Sequence, residues 1–514
     1  MSKLKFGIYF VLASVLLWGC DDLFDVSPAT SLPGEQVLTS ADGVDALRAS
    51  LYSSIRSSGS YTTLHFIAPS SFTDELLVRP GATRYDGYNF AQDGDGSRAH
   101  ITSWNATYDI VQDANLMIGA VDVDADEMAP ETVERYQGEA YAIRAFAYHN
   151  LVRVMGYDPG NFDQGPEGNW DHGIVLETDP VQNLDDVDDE LPRASVNDVY
   201  DQIRSDLDNA KQRLAGVTER RRMNEAFVDG LRARVELYAG NWDEAEAAAA
   251  EAKANFGGSL EDDQAGIDVM FNEGEGDHPE AIFLLTPDPN TEPIAGSNVN
   301  NGPAAYTSDQ WGAQLPTQTL LDRYEEGDYR LGGFILDDEG EHVIDEQTGQ
   351  PAYEGWFEPC YNRSESETFS NCGDVNDEGF TITKWNGFKG NLADDLPYMR
   401  LSELYLIRAE AAAKAGAVAD GVPYLNELRE ARGVDALDAG DFGNIEDFED
   451  EILDERSREL VAEGHRFYDL KRLGRAITFP DGSTKFRADS HRILGPIPTS
   501  ELSVNDALLE NPGY

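Results

Sequence analysis

Five aromatic residues, Tyr85, Tyr88, Tyr306, Trp311 and Trp356, fall in two stretches that lack helical periodicity, about 56–100 and about 286–399. Both stretches are rich in Gly, Asn and Ser, and loops of that length inside a compact protein usually carry function or lack order. A flat ring covers the C–H face of a sugar, while amide, carboxylate and guanidinium groups take its hydroxyls. Asp74, Arg84 and Asn89 are the matching polar candidates in the first stretch. The chemistry expected of the group is carbohydrate binding. For any single ring the alternative is packing of the insert against the rest of the chain.

Catalytic signatures are missing. The sequence has no G-x-S-x-G, H-E-x-x-H, P-loop or G-x-G-x-x-G motif, and its 8 histidines show no metal-ligand spacing. The 96 acidic residues leave a glycan-degrading enzyme as an alternative. It would need two carboxyl groups roughly 5–10 Å apart across an aromatic cleft. Asp93–Ser97 and Asp122–Asp126 begin like calcium loops. They fail where an EF-hand needs glycine and a bidentate glutamate, because Arg98 and Trp104, or Glu127 and Val133, stand there. Asp185, Asp186, Asp188, Asp189 and Glu190 read as a solvated acidic loop. Neither a metal nor a cofactor is implied.

The elements that must position these residues are helical. Apolar spacing predicts helices at 40–55, 101–121, 131–155, 196–214 and 223–239, after an extended tether over 21–39. GNWDEAEAAAAEAKA at 240–254 resembles the second helix of a tetratricopeptide repeat, and 400–432 repeats the pattern as helix, Gly416 turn, helix. At 451–474, Ile452, Leu453, Leu460, Val461, Phe467, Leu470 and Leu473 mark a buried face, with a break expected at Gly464. Opposite charges lie three apart there, as in Arg456–Glu459, Glu463–Arg466 and Arg466–Asp469. Such spacing predicts surface pairs, each worth under about 1 kcal/mol.

Charge and cysteines set the compartment. A net charge of −57, with 9 lysines against 30 arginines, makes nucleic acid a poor partner. The same surface suits high salt, where a Debye length of about 3 Å at 1 M screens self-repulsion; an ordinary acidic extracellular protein is the alternative. Lys3 and Lys5 precede an apolar run from Phe6 to Trp18, which is short of a membrane span and reads as a secretory signal over 1–19. Leu17-Trp18-Gly19-Cys20 looks like a lipobox, with Cys20 as the acylated residue. Cys360 and Cys372 then remain to close a disulfide, worth about 3 kcal/mol in the loop-entropy account.

The order of residues at 455–474 resembles the C-terminal signature of the SusD/RagB family of outer-membrane nutrient-binding lipoproteins. It runs through Glu455, Arg456, Glu459, Leu460, Glu463, Gly464, Arg466, Asp469, Leu470, Arg472 and Gly474, with Leu473 where the family usually has tryptophan. Arg400, Glu403, Tyr405, Leu406, Ala409, Glu410 and Ala411 resemble a second family helix. Gly495-Pro496-Ile497-Pro498, Glu501 and Asn511-Pro512-Gly513-Tyr514 resemble the family's terminus. Asp74-Glu75 is similar to a recurrent acidic pair, and Asp21-Asp22 to a cell-surface sorting signal.

The resemblance implies a mainly α fold in which tetratricopeptide-like helix pairs form a scaffold and a large irregular insert carries the ligand face. It implies one domain over 40–514 behind a lipid-anchored tether at 20–39. It also implies an exterior outer-membrane location, a SusC-type TonB-dependent transporter as partner, and non-catalytic capture of glycans. A peptide ligand and a protein-only adaptor are the other readings.

Overall fold

The computed structural model describes residues 34–56, 63–78, 103–183, 190–271, 278–285, 314–337, 339–344, 351–359, 379–385, 395–478 and 482–514. Its body is helical. α1 (Ala41–Arg56) buries Val44, Leu47, Leu51 and Ile55, the face that their spacing predicts. α2 (Thr63–Ser71) is followed by α3 (Trp104–Gly119) and α4 (Pro130–Met155), which starts with proline where a missing N–H costs nothing. Every residue of α4 from Ala142 to Met155 is buried, the mark of a helix enclosed on all sides. Its Arg144 is therefore matched internally, donating to Asp206 at 2.9 and 2.6 Å.

α5 (Val196–Arg213) is capped by Ser195, whose Oγ accepts from Asp198 N at 3.1 Å. α6 (Glu225–Ala239) ends at left-handed Gly240 and gives way to α7 (Trp242–Phe256). α7 lays Ala245, Ala248, Ala249 and Ala252 against its neighbours, so small side chains let the axes approach. α8 (Leu401–Ala415) and α9 (Val418–Ala431) flank the Gly416 turn. α10 (Ile445–Glu459) and α11 (Arg466–Arg472) flank Gly464.

These helices stack in sequence: α3 on α4, α4 on α5, α5 on α6, α6 on α7, then α7 on α8 and α8 on both α9 and α10. Each covers the apolar face of the one before, as in helical repeats. The contact between α7 and α8 bridges the whole span 257–400, so the irregular insert leaves the stack without interrupting it.

Short strands anchor the insert. β1 (Leu76–Val78) pairs antiparallel with β3 (Gln314–Pro316). β2 (Ala281–Leu285) pairs with β6 (Leu396–Arg400), Leu285 opposite Leu396. β4 (Phe357–Pro359) pairs with β5 (Phe380–Ile382). All five residues of β2 and of β6 are buried, which explains the unbroken apolar run AIFLL. The β2–β6 ladder is the stem of the insert, and Tyr398 O–H fastens it to α1 by donating to the Ile55 carbonyl at 2.9 Å.

Two local expectations are overturned. Gly34–Thr39, expected as extended tether, is helical. The first loop-rich stretch contains α2, whose Pro69 argues against a helix in sequence. Tertiary packing decides otherwise: α2 lies on α11 and buries Phe66 and Ala68.

Gly464 does what its position predicts. It takes φ +83°, and a Cβ there would stand 1.6 Å from the His65 carbonyl oxygen on α2. Gly464→Ala is expected to lower stability by more than about 2 kcal/mol, combining left-handed strain with a backbone clash. Gly474→Ala, at φ +63° with its nearest atom 4.0 Å away, should pay the strain alone. Urea unfolding of both variants checks the difference.

Candidate functional site

The charges of 455–472 do not lie on the surface, and the surface pairs expected there are not the pairs that form. Glu459 is 0% exposed and accepts from three guanidinium groups: Arg330 (3.0 Å), Arg400 (2.8 Å) and Arg432 (2.9 and 3.0 Å). Glu463 takes Lys384 (2.6 Å) and the fork of Arg400 (2.9 and 2.7 Å). Glu455 takes Arg330 (2.6 Å) and Arg458 (2.7 Å). Arg456 pairs with Asp469 (2.7 Å), and Arg472 pairs with Glu410 and Asp469. Arg330 and Lys384 belong to the insert, Arg400 to its stem and Arg432 to the end of α9. The signature is thus a buried ionic lattice that fixes the insert to the helical stack.

The lattice also reaches the first loop-rich stretch. Asp74 accepts from Arg466 Nε and Nη2, both at 3.1 Å, and is paired with Arg323. Asp74, expected to meet ligand hydroxyls, is instead 5% exposed with its oxygens held by these guanidinium groups. Trp356, expected to stack on a sugar, is 1% exposed. Its Nε1 donates to the Ile267 carbonyl (3.1 Å), Phe271 meets it edge-on, and Lys384 Nζ lies 4.2 Å from its ring. Neither residue can face a ligand. Both serve the packing that supports the insert.

The other ligand candidates, Arg84, Tyr85, Tyr88, Asn89, Tyr306 and Trp311, lie outside the described residues, as do Cys20, Cys360, Cys372 and the signal segment 1–19. What the described residues fix is where their segments start. In the β1–β3 ladder Val78 stands opposite Gln314. The chain therefore runs on to 79–102 and arrives from 286–313 at one point of the fold. Thr317 ties this clasp, its N–H donating to the Glu75 carbonyl (2.9 Å) and its hydroxyl to the Asp74 carbonyl.

Three clefts open on the described surface. One, of about 760 Å³, lies between α1, Tyr136 of α4, the Arg221–Arg222 turn and Leu285 at the end of β2. Its basic lining went unnoticed in sequence, although Arg220-Arg221-Arg222 is a conspicuous run in so acidic a chain. A second, of about 560 Å³, lies beside Trp242, Lys414 and Gly474. A third, of about 320 Å³, is lined by Trp104, Tyr108, Asp109 and Glu177, with the two rings 4.9 Å apart. All are open surfaces suited to holding a polar ligand.

Comparison with known proteins agrees with this architecture. The SusD family profile matches residues 279–514, and the profile described as starch-binding, associating with outer membrane, matches residues 25–237. The chain belongs to the SusD/RagB family. SusD-like protein P38 of Formosa agariphila is 24% identical over 98% of both chains. Starch-binding protein SusD of Bacteroides thetaiotaomicron is 31% identical over 27% of this chain and 26% of its own. Among solved structures, a SusD superfamily protein from Bacteroides thetaiotaomicron superposes with a TM-score of 0.70 at 23% identity, covering 92% of this chain and 100% of that one. A SusD-like carbohydrate binding protein from Bacteroides vulgatus gives 0.67 at 18% identity, covering 91% and 97%. The mainly α SusD fold and membership of a carbohydrate-binding, outer-membrane-associated family are thereby established for this chain.

Proposed function

We propose that this SusD-family protein captures oligosaccharides at the cell surface without altering them and hands them to a SusC-type TonB-dependent transporter. The observation that carries this reading is the β1–β3 clasp, because it makes the two aromatic-bearing segments start from one place on a rigid stack. Arg84, Tyr85, Tyr88 and Asn89 follow one strand of the clasp; Tyr306 and Trp311 precede the other. Rings contributed by both segments would form a shared sugar platform. Acylated Cys20 would tether the protein to the outer membrane, and a Cys360–Cys372 disulfide would restrain the insert.

Trp311→Ala and Tyr88→Ala should each weaken glycan retention in affinity electrophoresis by about tenfold, with the melting temperature unchanged. Unchanged retention in both would remove the platform. Pulling the tagged protein from solubilised membranes should bring a large β-barrel with it, and its absence would count against delivery to a transporter.

A further inference from the structure

We infer that the 760 Å³ cleft against α1 is a binding site for the anionic group, carboxylate or sulfate ester, of an acidic oligosaccharide. The inference rests on the capture of glycans proposed above and names their class.

Four of the twelve described lining residues are arginines (Arg48, Arg56, Arg221 and Arg222), in a chain whose net charge is −57. Asp45 is the one carboxylate among the described lining residues, and its Oδ1 accepts from Tyr136 O–H at 2.8 Å. The fold builds this concentration deliberately from distant pieces. Leu284 N–H donates to the Arg220 carbonyl (3.0 Å) and Met223 N–H to the Tyr52 hydroxyl (2.9 Å), pinning the Arg220–Arg222 turn between β2 and α1. Arg48 is locked by a fork onto buried Glu139, both bonds 2.7 Å.

The two rings in the cleft favour a charged ligand over a neutral one. Arg48 lies 4.2 Å over the Tyr136 ring and Arg222 4.8 Å over that of Tyr52. Both rings are buried, Tyr136 at 7% and Tyr52 at 6% exposure, and each has a cation over one face, so neither offers an open face to the C–H side of a neutral sugar. The Nε–Nη2 edge of Arg48 is taken by Glu139, so what remains among the described residues is the Nε–Nη2 edge of Arg222, held in place by cation–π contact, a geometry that matches the paired oxygens of a carboxylate or sulfate. Among the described residues Arg222 gives only Nη1 to a neighbour, the Arg221 carbonyl at 2.7 Å. A concave volume of this size suits one or two sugar rings better than a flat protein interface. Arg56 and Leu285 line it and are the described residues that precede 57–62 and 286–313.

The test titrates the whole protein in high salt, where long-range repulsion from the acidic surface is screened, with three trisaccharides: a uronate oligomer, a sulfated galactan oligomer and neutral maltotriose. At least one acidic ligand should bind about tenfold more tightly than the neutral one, and the two acidic arms tell carboxylate from sulfate. Arg222→Gln should lower acidic-ligand affinity about tenfold and leave any maltotriose binding unchanged. Arg56→Gln provides the same reading if the first variant unfolds. Trp311→Ala should instead weaken acidic and neutral ligands alike. Equal affinity for all three, or acidic binding indifferent to both arginine variants, would overturn the cleft while leaving glycan capture intact. Failure of all three to bind would overturn both.

Discussion

Glu459→Ala is expected to destabilise the protein by about 3–5 kcal/mol, enough to abolish soluble expression of a marginally stable chain. The carboxylate is fully buried and is shared by Arg330, Arg400 and Arg432, which arrive from the insert, the stem and α9. Two charges taken out of water repay that cost only while their partners stay in place. Removing the shared anion leaves cations crowded without compensation, and Coulomb repulsion then adds to the lost bonds. Glu459→Gln keeps the acceptor and loses the charge, so it should fall between the parent and alanine. Arg487→Ala breaks the exposed Arg487–Asp489 pair and should leave unfolding unchanged within error, since such pairs are screened. Urea midpoints for the three variants measure the contrast.

The second large effect is acid unfolding between about pH 4.5 and 2. Burial pushes Glu455 up, but Arg330 and Arg458 outweigh it and bring the carboxyl down to about 2 from an ordinary 4.5. Burial likewise opposes charge on Glu459, Asp74, Asp469 and Glu403, and their guanidinium neighbours hold all four below the usual range. A carboxylate with a lowered folded pKa stabilises the fold above its unfolded pKa. That contribution is lost as pH falls through the folded value, because the unfolded chain binds the proton first. Several such groups acting together make the transition steep. Because they are buried, added salt should shift it little.

Glu75 works in the opposite direction. Burial, reinforced by the neighbouring Asp74 charge, raises it to about 7. Its favourable contribution is complete below its ordinary 4.5 and is lost as pH rises through about 7. Glu75→Gln should therefore stabilise the protein at pH 8 by on the order of 3 kcal/mol and change little at pH 4. Thermal melts across pH separate the two carboxylates of the Asp74-Glu75 pair by opposite signs.

The helical stack was legible because its information is local. Apolar residues three and four apart announced α1 and α3–α9 within a few residues, and Gly416 and Gly464 announced their turns. The ionic lattice was legible as a pattern but not as a set of partners. Local spacing nominated Arg456–Glu459, yet Arg456 reaches Asp469 and Glu459 reaches Arg330, 129 positions away. Only tertiary packing chooses among so many charges. Of the nearest-turn pairs in that segment, Arg458–Glu455 and Arg472–Asp469 do form.

Trp356 illustrates the reverse error. Its neighbourhood of Gly, Pro and Tyr reads as exposed loop, but Phe271 and Lys384, far off in sequence, close over the ring. The arginine cleft escaped notice for the same reason. Arg48 and Arg56 lie two turns apart on α1, and Arg221–Arg222 join them only through the pinned turn at β2.

The central claim is that a stack of helices holds two aromatic segments together so that they bind sugar and leave it whole. Calorimetric titration with a panel of oligosaccharides and peptides, at low and high salt, followed by mass analysis of the recovered ligand, tests it most directly. The account predicts saturable binding of at least one oligosaccharide and its return at unchanged mass. Cleaved product, or saturation by peptides alone, would contradict it.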